Sequence, residues 1–290
     1  MVTRGSRTAD VGCDHGFVSI YLYENQIAPK VYAMDLRKGP LERAREHIAA
    51  RGFSDYIETR LSDGLEALAE GEADTLICAG MGGRLMAEIL SRGQEKTRRM
   101  KELILQPQSE LRYFRAFLRE NGYVVSAENM VKEDGKFYVI MKASYCGRET
   151  AGCFCKAEGV TGGECKGTVP VADGVLSEVR QRIADSFGVC LLKERHPVLK
   201  EYLEMLQDRN EKILAELGSG ESQKQAGAVE TAAGRRAEES GAVDGYGTAQ
   251  KADGDGVKDG RREQRKKELL EELSDIERCL LLYTGDGEAW

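Results

Sequence analysis

Between residues 8 and 143, short apolar runs alternate with segments whose apolar residues recur every three or four positions. The first kind of pattern predicts strands and the second amphipathic helices. "TADVG" ends a short strand at Gly12, and "GFVSIYLYENQ" reads as a helix. "KVYAMD" is a second strand, ending at Asp35. In "GPLERAREHIAARG", Leu41, Ala44 and Ile48 share a helical face, with Pro40 expected at the first helical position and Gly52 past the end. "YIETRLSD" is a third strand, ending at Asp63, and "ADTLICAG" a fourth, followed by the helix "GRLMAEILSRG". "ELILQP" is a fifth strand, and the next helix is expected in "SELRYFRAFLRENG" with Ser109 as its N-cap. "YVVSAENMV" and "KFYVIMKA" flank "KEDG", a hairpin signal.

Five strand–helix units imply a parallel sheet with right-handed crossovers. The closing hairpin adds one antiparallel strand, inside that sheet or at its edge. The fold class is α/β, a mostly parallel seven-stranded sheet of Rossmann-like type followed by a C-terminal helical region. Residues 1–145 form the ligand-binding domain. Residues 146–174 are Gly-rich, polar and without period, and read as a loop insertion. Residues 175–290 are expected to be helical. Leu199, Leu203, Leu206, Asn210, Ile213 and Leu217 alternate by four and three, as do Leu269, Leu273, Ile276, Leu280 and Tyr283. Two such seams predict an antiparallel coiled-coil hairpin. The stretch of about 218–261 between them has few apolar anchors and is expected to be disordered.

The composition narrows the class. The 290 residues carry a formal net charge of -7, which disfavours indiscriminate nucleic-acid binding but leaves room for a local basic face. The chain shows no signal-like or membrane-spanning apolar run, so a cytoplasmic location and no membrane partner are expected. The eight cysteines are then reduced thiols. Cys146, Cys153, Cys155 and Cys165 fit no standard paired spacing for zinc, and no metal is expected.

The candidate chemistry lies at the strand ends. "DVGCDHGF" is a glycine loop after a strand, with an acid, Asp35, ending the next strand. A dinucleotide and S-adenosylmethionine both offer a ribose to such an acid. A pyrophosphate needs amides free of nearby negative charge, and Asp14 opposes it. A sulfonium cation does not meet that repulsion, so the loop favours S-adenosylmethionine. Asp35 is expected on the ribose hydroxyls and Asp63 on the adenine amine. "AGMGG", residues 79–83, gives a bare backbone for a flat base. Taken singly, each acid is equally a turn or cap residue.

"ADVGCDHG", "SDGLEAL", "GEADTLICAGMGG", "LILQPQ", "LRENGYVV" and "EDGKFYVI" resemble the TrmK family of bacterial tRNA (adenine-N1)-methyltransferases. "LLKERHPVLKEYL" resembles that family's entry into its C-terminal helices. The resemblance implies a class I methyltransferase domain, S-adenosylmethionine as cofactor, and tRNA adenosine 22 as substrate, with no obligatory protein partner. It implies a catalytic role for Asp14. It implies a cofactor-binding set of Asp10, Gly12, Cys13, His15, Gly16, Asp35, Leu36, Asp63, Gly64, Ala79, Gly80 and Met81. Neutral adenine already has a lone pair on N1 and the product is a cation, so a fixed carboxylate suits the transition state. The chain has no D/N-P-P-F/Y motif after strand four, which disfavours amine methylation. The family's helix before the first strand has no counterpart in the seven residues before Thr8, and Arg4 and Arg7 do not match its arginine. Two other readings therefore stand beside this one, an inactive RNA-binding relic and an NAD(P)-binding oxidoreductase. Basic residues gather at Arg84, Arg92, Lys96, Arg98, Arg99 and Lys101, on the stripe Arg112, Arg115 and Arg119, and in residues 261–267. Each group is either an RNA contact or a solvated helix face.

Overall fold

The computed structural model describes the backbone of residues 1–147, 174–234 and 253–284. Seven strands form one sheet: β1 (Thr8–Val11), β2 (Val31–Asp35), β3 (Ile57–Leu61), β4 (Thr75–Gly82), β5 (Glu102–Ser109), β6 (Tyr123–Glu133) and β7 (Lys136–Tyr145). The order is β3-β2-β1-β4-β5-β7-β6. The first five strands are mutually parallel, and β7 alone runs against its neighbours β5 and β6. The "EDG" turn closes the last hairpin with both Asp134 and Gly135 at positive φ, as a two-residue turn matched to strand twist requires.

β1 and β2 are buried along their whole length, as central strands covered on both faces must be. α1 (Phe17–Glu24) and α2 (Lys38–Ala50) cover one face. Ile20, Leu22, Leu41, Ala44 and Ile48 pack there on Val31, Ala33, Ile57, Ile77 and Ile104. α3 (Gly83–Arg92), α4 (Gln94–Thr97) and α5 (Leu111–Glu120) complete the strand–helix units. α5 presents Phe114 and Leu118 to the core.

Two terminal assignments change. Pro40 is the third residue of α2, where no intrahelical acceptor is yet available for its missing N–H. Ser109 does not cap α5. It ends β5, and Glu110, in the left-handed region at φ 56°, starts the helix without a side-chain cap.

The chain divides into compact units at Leu199/Lys200, not after residue 145. α6 (Gly174–Phe187) and α7 (Val189–Lys193), expected with the C-terminal helices, belong to the first unit. The reason is polar as well as apolar. Arg115 of α5 donates to Glu128 of β6 at 2.9 Å and to the carbonyls of Asp185 and Ser186 at 3.2 and 2.9 Å. Glu128 also accepts the Cys190 backbone N–H at 3.2 Å.

The second unit is built from α8 (Pro197–Gly234) and α9 (Asp253–Thr284). Arg209 meets Glu272 at 3.7 Å, and the Arg262 guanidinium donates to the Leu217 carbonyl, so the two helices run antiparallel. Leu203, Leu206, Asn210, Leu269 and Ile276 are buried. Cys279 and Leu282 are buried as well, which widens the α9 face beyond the four–three seam. α8 reaches Gly234 and α9 starts at Asp253, within the stretch 218–261. Ala, Glu and Gln in "ESQKQAGAVETAAG" favour helix even without apolar anchors. Residues 235–252 and 148–173 lie outside the described residues, and with the latter go Cys153, Cys155 and Cys165. No helix among the described residues is long and apolar enough to cross a membrane.

Candidate functional site: a carboxylate loop at the sheet edge

Strand register brings the candidate residues together. Val11 of β1 stands between Met34 of β2 and Cys78 of β4. The next residue on each chain segment is Gly12, Asp35 and Ala79, so three predicted positions stand side by side at the carboxyl edge of the sheet. That edge is where open α/β sheets take ligands. Asp63 and Gly64 follow β3, whose Leu61 pairs with Asp35.

The loop after β1 is held from below. The N–H groups of Gly12 and Cys13 both donate to the Met34 carbonyl, at 2.8 and 3.0 Å, and Gly16 donates to Cys13 at 2.7 Å. Gly12 sits at φ 75°, and a Cβ there would collide with the Met81 methyl group. The positive φ favours glycine here, and the bare Cα leaves room for the Met81 side chain of β4 against the loop. The Gly80 N–H is tied to the Gln106 side chain at 2.9 Å, which fixes the second loop. Ala79 and Gly80 are exposed there and present bare backbone.

Asp35 is 6% exposed. Its carboxylate accepts the Arg37 N–H at 2.8 Å and the Asp14 N–H at 3.3 Å. Each oxygen keeps a second lone pair, enough for two ribose hydroxyls. The Leu36 side chain, 63% exposed, offers apolar surface beside it.

Asp14 is the outward acid. Its backbone is in the left-handed region at φ 46°, which aspartate tolerates better than most residues. Its side chain is 56% exposed, with His15 Nε2 at 3.6 Å and Arg43 Nη2 at 3.8 Å. Both contacts are long and solvated, so the carboxylate is held in place without being consumed.

Asp10 and Cys13 do not face the edge. Asp10 is buried and its Oδ2 accepts the Ser19 hydroxyl at 2.6 Å. Burial pushes its carboxyl up to about 6 despite that bond. Cys13 packs in the core, where burial and then the nearby carboxylates of Asp10 and Asp35 push its thiol up. Both residues support the loop from beneath.

Asp63 is engaged elsewhere. Arg92 of α3 donates to it from both terminal nitrogens at 2.9 Å and also pairs with Glu66. Both bonds end on Oδ2 of the half-exposed Asp63 carboxylate. Gly64 packs on Ile89.

The basic groups read from the sequence are also reordered. Arg84 pairs with Glu110, Arg99 with Glu70 at 3.0 Å, and Lys101 with Asp74 at 3.3 Å. Lys96 donates to the Leu65 carbonyl at 2.6 Å, and Arg98 lies over the Tyr145 ring at 4.9 Å. Arg115 is buried, and Arg119 pairs with Asp185 at 3.1 Å, so only Arg112 of that stripe stays on the surface without such a tie. Around 261–267, Arg265 pairs with Glu268 at 3.3 Å and Lys266 with Glu263 at 3.4 Å. Among the described residues, no cluster of three His, Cys, Asp or Glu is placed to hold a metal.

Arg43, His47 and Phe17 were not singled out in the sequence, yet they flank Asp14 and His15. His47 Nδ1 lies 3.0 Å from the His15 carbonyl. Four and eight residues past Gly39, the two α2 positions follow helical spacing, and only the fold shows that this face meets the loop.

The family model "Methyltransferase domain" matches residues 1–141. The chain is 35% identical over 150 residues to the tRNA (adenine(22)-N(1))-methyltransferase of Bacillus subtilis (strain 168), across 52% of this chain and 63% of that protein. The chain spans about 60% of the length of the curated relatives it matches. The crystal structure of the B. subtilis m1A22 tRNA methyltransferase TrmK superposes with TM-score 0.66 at 24% identity, over 96% of this chain and 94% of that one. M. capricolum TrmK in complex with S-adenosyl-homocysteine superposes with TM-score 0.58 at 18% identity, over 95% and 94%. These two likenesses establish the fold, a seven-stranded, mostly parallel sheet followed by a helical C-terminal region.

Proposed function

We propose that this chain transfers a methyl group from S-adenosylmethionine to N1 of adenosine 22 in tRNA. The observation that carries the reading is the exposed Asp14 carboxylate, fixed in a left-handed loop whose backbone N–H is held by Asp35. That arrangement suits a cationic cofactor and a cationic product, and opposes a pyrophosphate. The B. subtilis relative bears the same activity in its name.

S-adenosylmethionine, when bound, supplies an electrophilic methyl group and leaves as a neutral thioether. Asp35 would accept the ribose hydroxyls with its remaining lone pairs. Gly12, Ala79 and Gly80 keep backbone, not side chains, against the cofactor. Asp14 holds negative charge where the base becomes positive, which lowers the barrier by electrostatic preorganisation. No residue needs to remove a proton from N1 beforehand, because neutral adenine carries its lone pair there. The antiparallel helices α8 and α9 would add grip on the tRNA body. A tRNA substrate also fits a cytoplasmic location.

The test is transfer of labelled methyl from S-adenosylmethionine to unmodified bacterial tRNA with adenosine at position 22, beside the same tRNA with guanosine there. Adenosine-dependent labelling is expected. Cofactor binding without labelling of either tRNA would overturn the reading.

A further inference from the structure

His15, Phe17 and His47 form a flat aromatic patch beside the catalytic loop. Their ring centroids lie 5.1–5.8 Å apart pairwise, and their planes agree within 10–24°. Each pair is stacked with its planes near parallel, so the three rings overlap in one compact aromatic plate. Phe17 is 57% exposed, an unusual state for phenylalanine, and Val18 and Tyr21 continue its apolar surface along α1. The plate adjoins Asp14 directly, through the 3.6 Å approach of His15 to its carboxylate.

Charge around the plate identifies what would cover it. Residues 37–51 carry five cations, Arg37, Lys38, Arg43, Arg45 and Arg51, against the carboxylates of Glu42 and Glu46. This is a local positive surface on a chain of net charge -7. Arg37 is 74% exposed in its side chain, and its nearest carboxylate contact is 4.0 Å from Asp35. Arg45 is tied only to the Thr59 hydroxyl, at 3.1 Å. Arg84 and Arg92 on α3 are neutralised by close ion pairs, whereas on α2 the contact of Arg43 with Asp14 is long, at 3.8 Å. An exposed aromatic face bordered by cations suits an unstacked base with its phosphates.

We propose that Phe17, backed by His15 and His47, is the platform on which the extruded target adenine stacks. This rests on the methyltransferase reading above. An adenine must leave its stack to reach the loop, and the plate offers it a replacement π-surface. Methylation at N1 leaves a cationic base. The electron-rich phenyl face favours that cation from one side, and the Asp14 carboxylate favours it at the edge. The Arg37 and Lys38 end of α2 would take the flanking phosphates. Arg43, between Asp14 and the plate, limits how negative the site becomes.

The experiment compares the full chain with its Phe17→Ala, Phe17→Tyr and Phe17→Trp variants. Methyl transfer to tRNA and the Kd for S-adenosylmethionine are both read. Phe17→Ala is expected to lower kcat/KM for tRNA by roughly tenfold or more, with an unchanged cofactor Kd. Phe17→Tyr and Phe17→Trp should restore most of the rate, which a merely structural role would not require. A tRNA with 2-aminopurine at position 22 gives a second readout, since stacking quenches its fluorescence. Quenching should be strong with the unaltered chain and weak with Phe17→Ala. Unchanged kcat/KM and unchanged quenching in Phe17→Ala would overturn the proposal. Absence of methyl transfer by the unaltered chain would sink the methyltransferase reading alone, because the quenching comparison still decides the platform. Should Phe17→Ala not fold, Phe17→Tyr and Phe17→Trp decide: loss of quenching in both, with fold intact, overturns the platform.

Discussion

Arg115 Nε donates to Glu128 Oε1 at 2.9 Å, with the two side chains only 6% and 1% exposed. An arginine that reads as part of a surface stripe is thus an internal tie between α5, β6 and the α6–α7 segment. Removing one member of a buried pair strands the other charge in a low-dielectric interior.

Arg115→Ala should therefore cost about 3–5 kcal/mol of stability, measured by urea denaturation. The neighbouring exposed Arg112→Ala should stay within about 0.5 kcal/mol. A double replacement, Arg115→Met with Glu128→Leu, should recover much of the loss. An Arg115→Ala variant as stable as the unaltered chain would show that the pair contributes nothing.

Asp14→Asn is the cleaner probe of the catalytic role proposed for Asp14, because asparagine also accepts the left-handed backbone that alanine resists. The expected outcome is a kcat lower by about a hundredfold, with the fold and the cofactor Kd retained. Turnover at the original rate would remove Asp14 from the mechanism.

Asp10 makes stability depend on pH in the opposite sense to an ion-paired acid. Its folded pKa, about 6, lies above the unfolded value of roughly 3.9. The folded state then binds the proton more tightly. The buried carboxylate costs stability above pH 6, and that cost disappears as pH falls from about 6 to about 4. At full ionisation the penalty is on the order of 2–3 kcal/mol. Asp10→Asn, which can still accept from Ser19, should stabilise the protein at pH 7.5 and lose that advantage by pH 4. Denaturation curves at the two pH values check this, and an advantage independent of pH would refute it.

The ion pairs of Arg84, Arg92, Arg99 and Lys101 imply that those cations contribute little to RNA affinity. Lys38→Ala should reduce the slope of log affinity against log salt by about 1, the signature of one lost phosphate contact. Arg99→Ala, which frees Glu70, should leave the slope unchanged. Filter binding over a salt series separates the two.

The parts legible in the sequence were those written in short-range pattern. Strand ends at Gly12 and Asp35, the Asp134–Gly135 turn and the face formed by Leu41, Ala44 and Ile48 all follow from local periodicity and turn chemistry. The readings that changed depend on partners far along the chain. Arg92 faces Asp63 across 29 residues, and Arg115 reaches Asp185 across 70. A helical wheel marks such cations as surface because their acids sit on other elements. Asp10 and Cys13 belong to the glycine-loop motif, yet the register turns them under it, which the motif alone does not encode. The aromatic cluster of His15, Phe17 and His47 is assembled from the loop after β1 and two helices, and left no sequence signal beyond its individual rings.

The two outer strands are each blunted at the margins of the sheet. β3 is five residues long and carries Glu58 and Arg60. β6 is longer, but its register shifts between Val125 and Ala127. α7 lies against it there, with the Cys190 thiol 3.8 Å from the Val125 carbonyl and His196 3.0 Å from Asn129. A short charged margin on one side and a kinked, covered one on the other deny a neighbouring chain any long flat strand to extend. Loosening the Arg115–Glu128 tie would thus do more than lower the melting point. It would uncover the β6 margin and turn a stability defect into a route to fibrous aggregation.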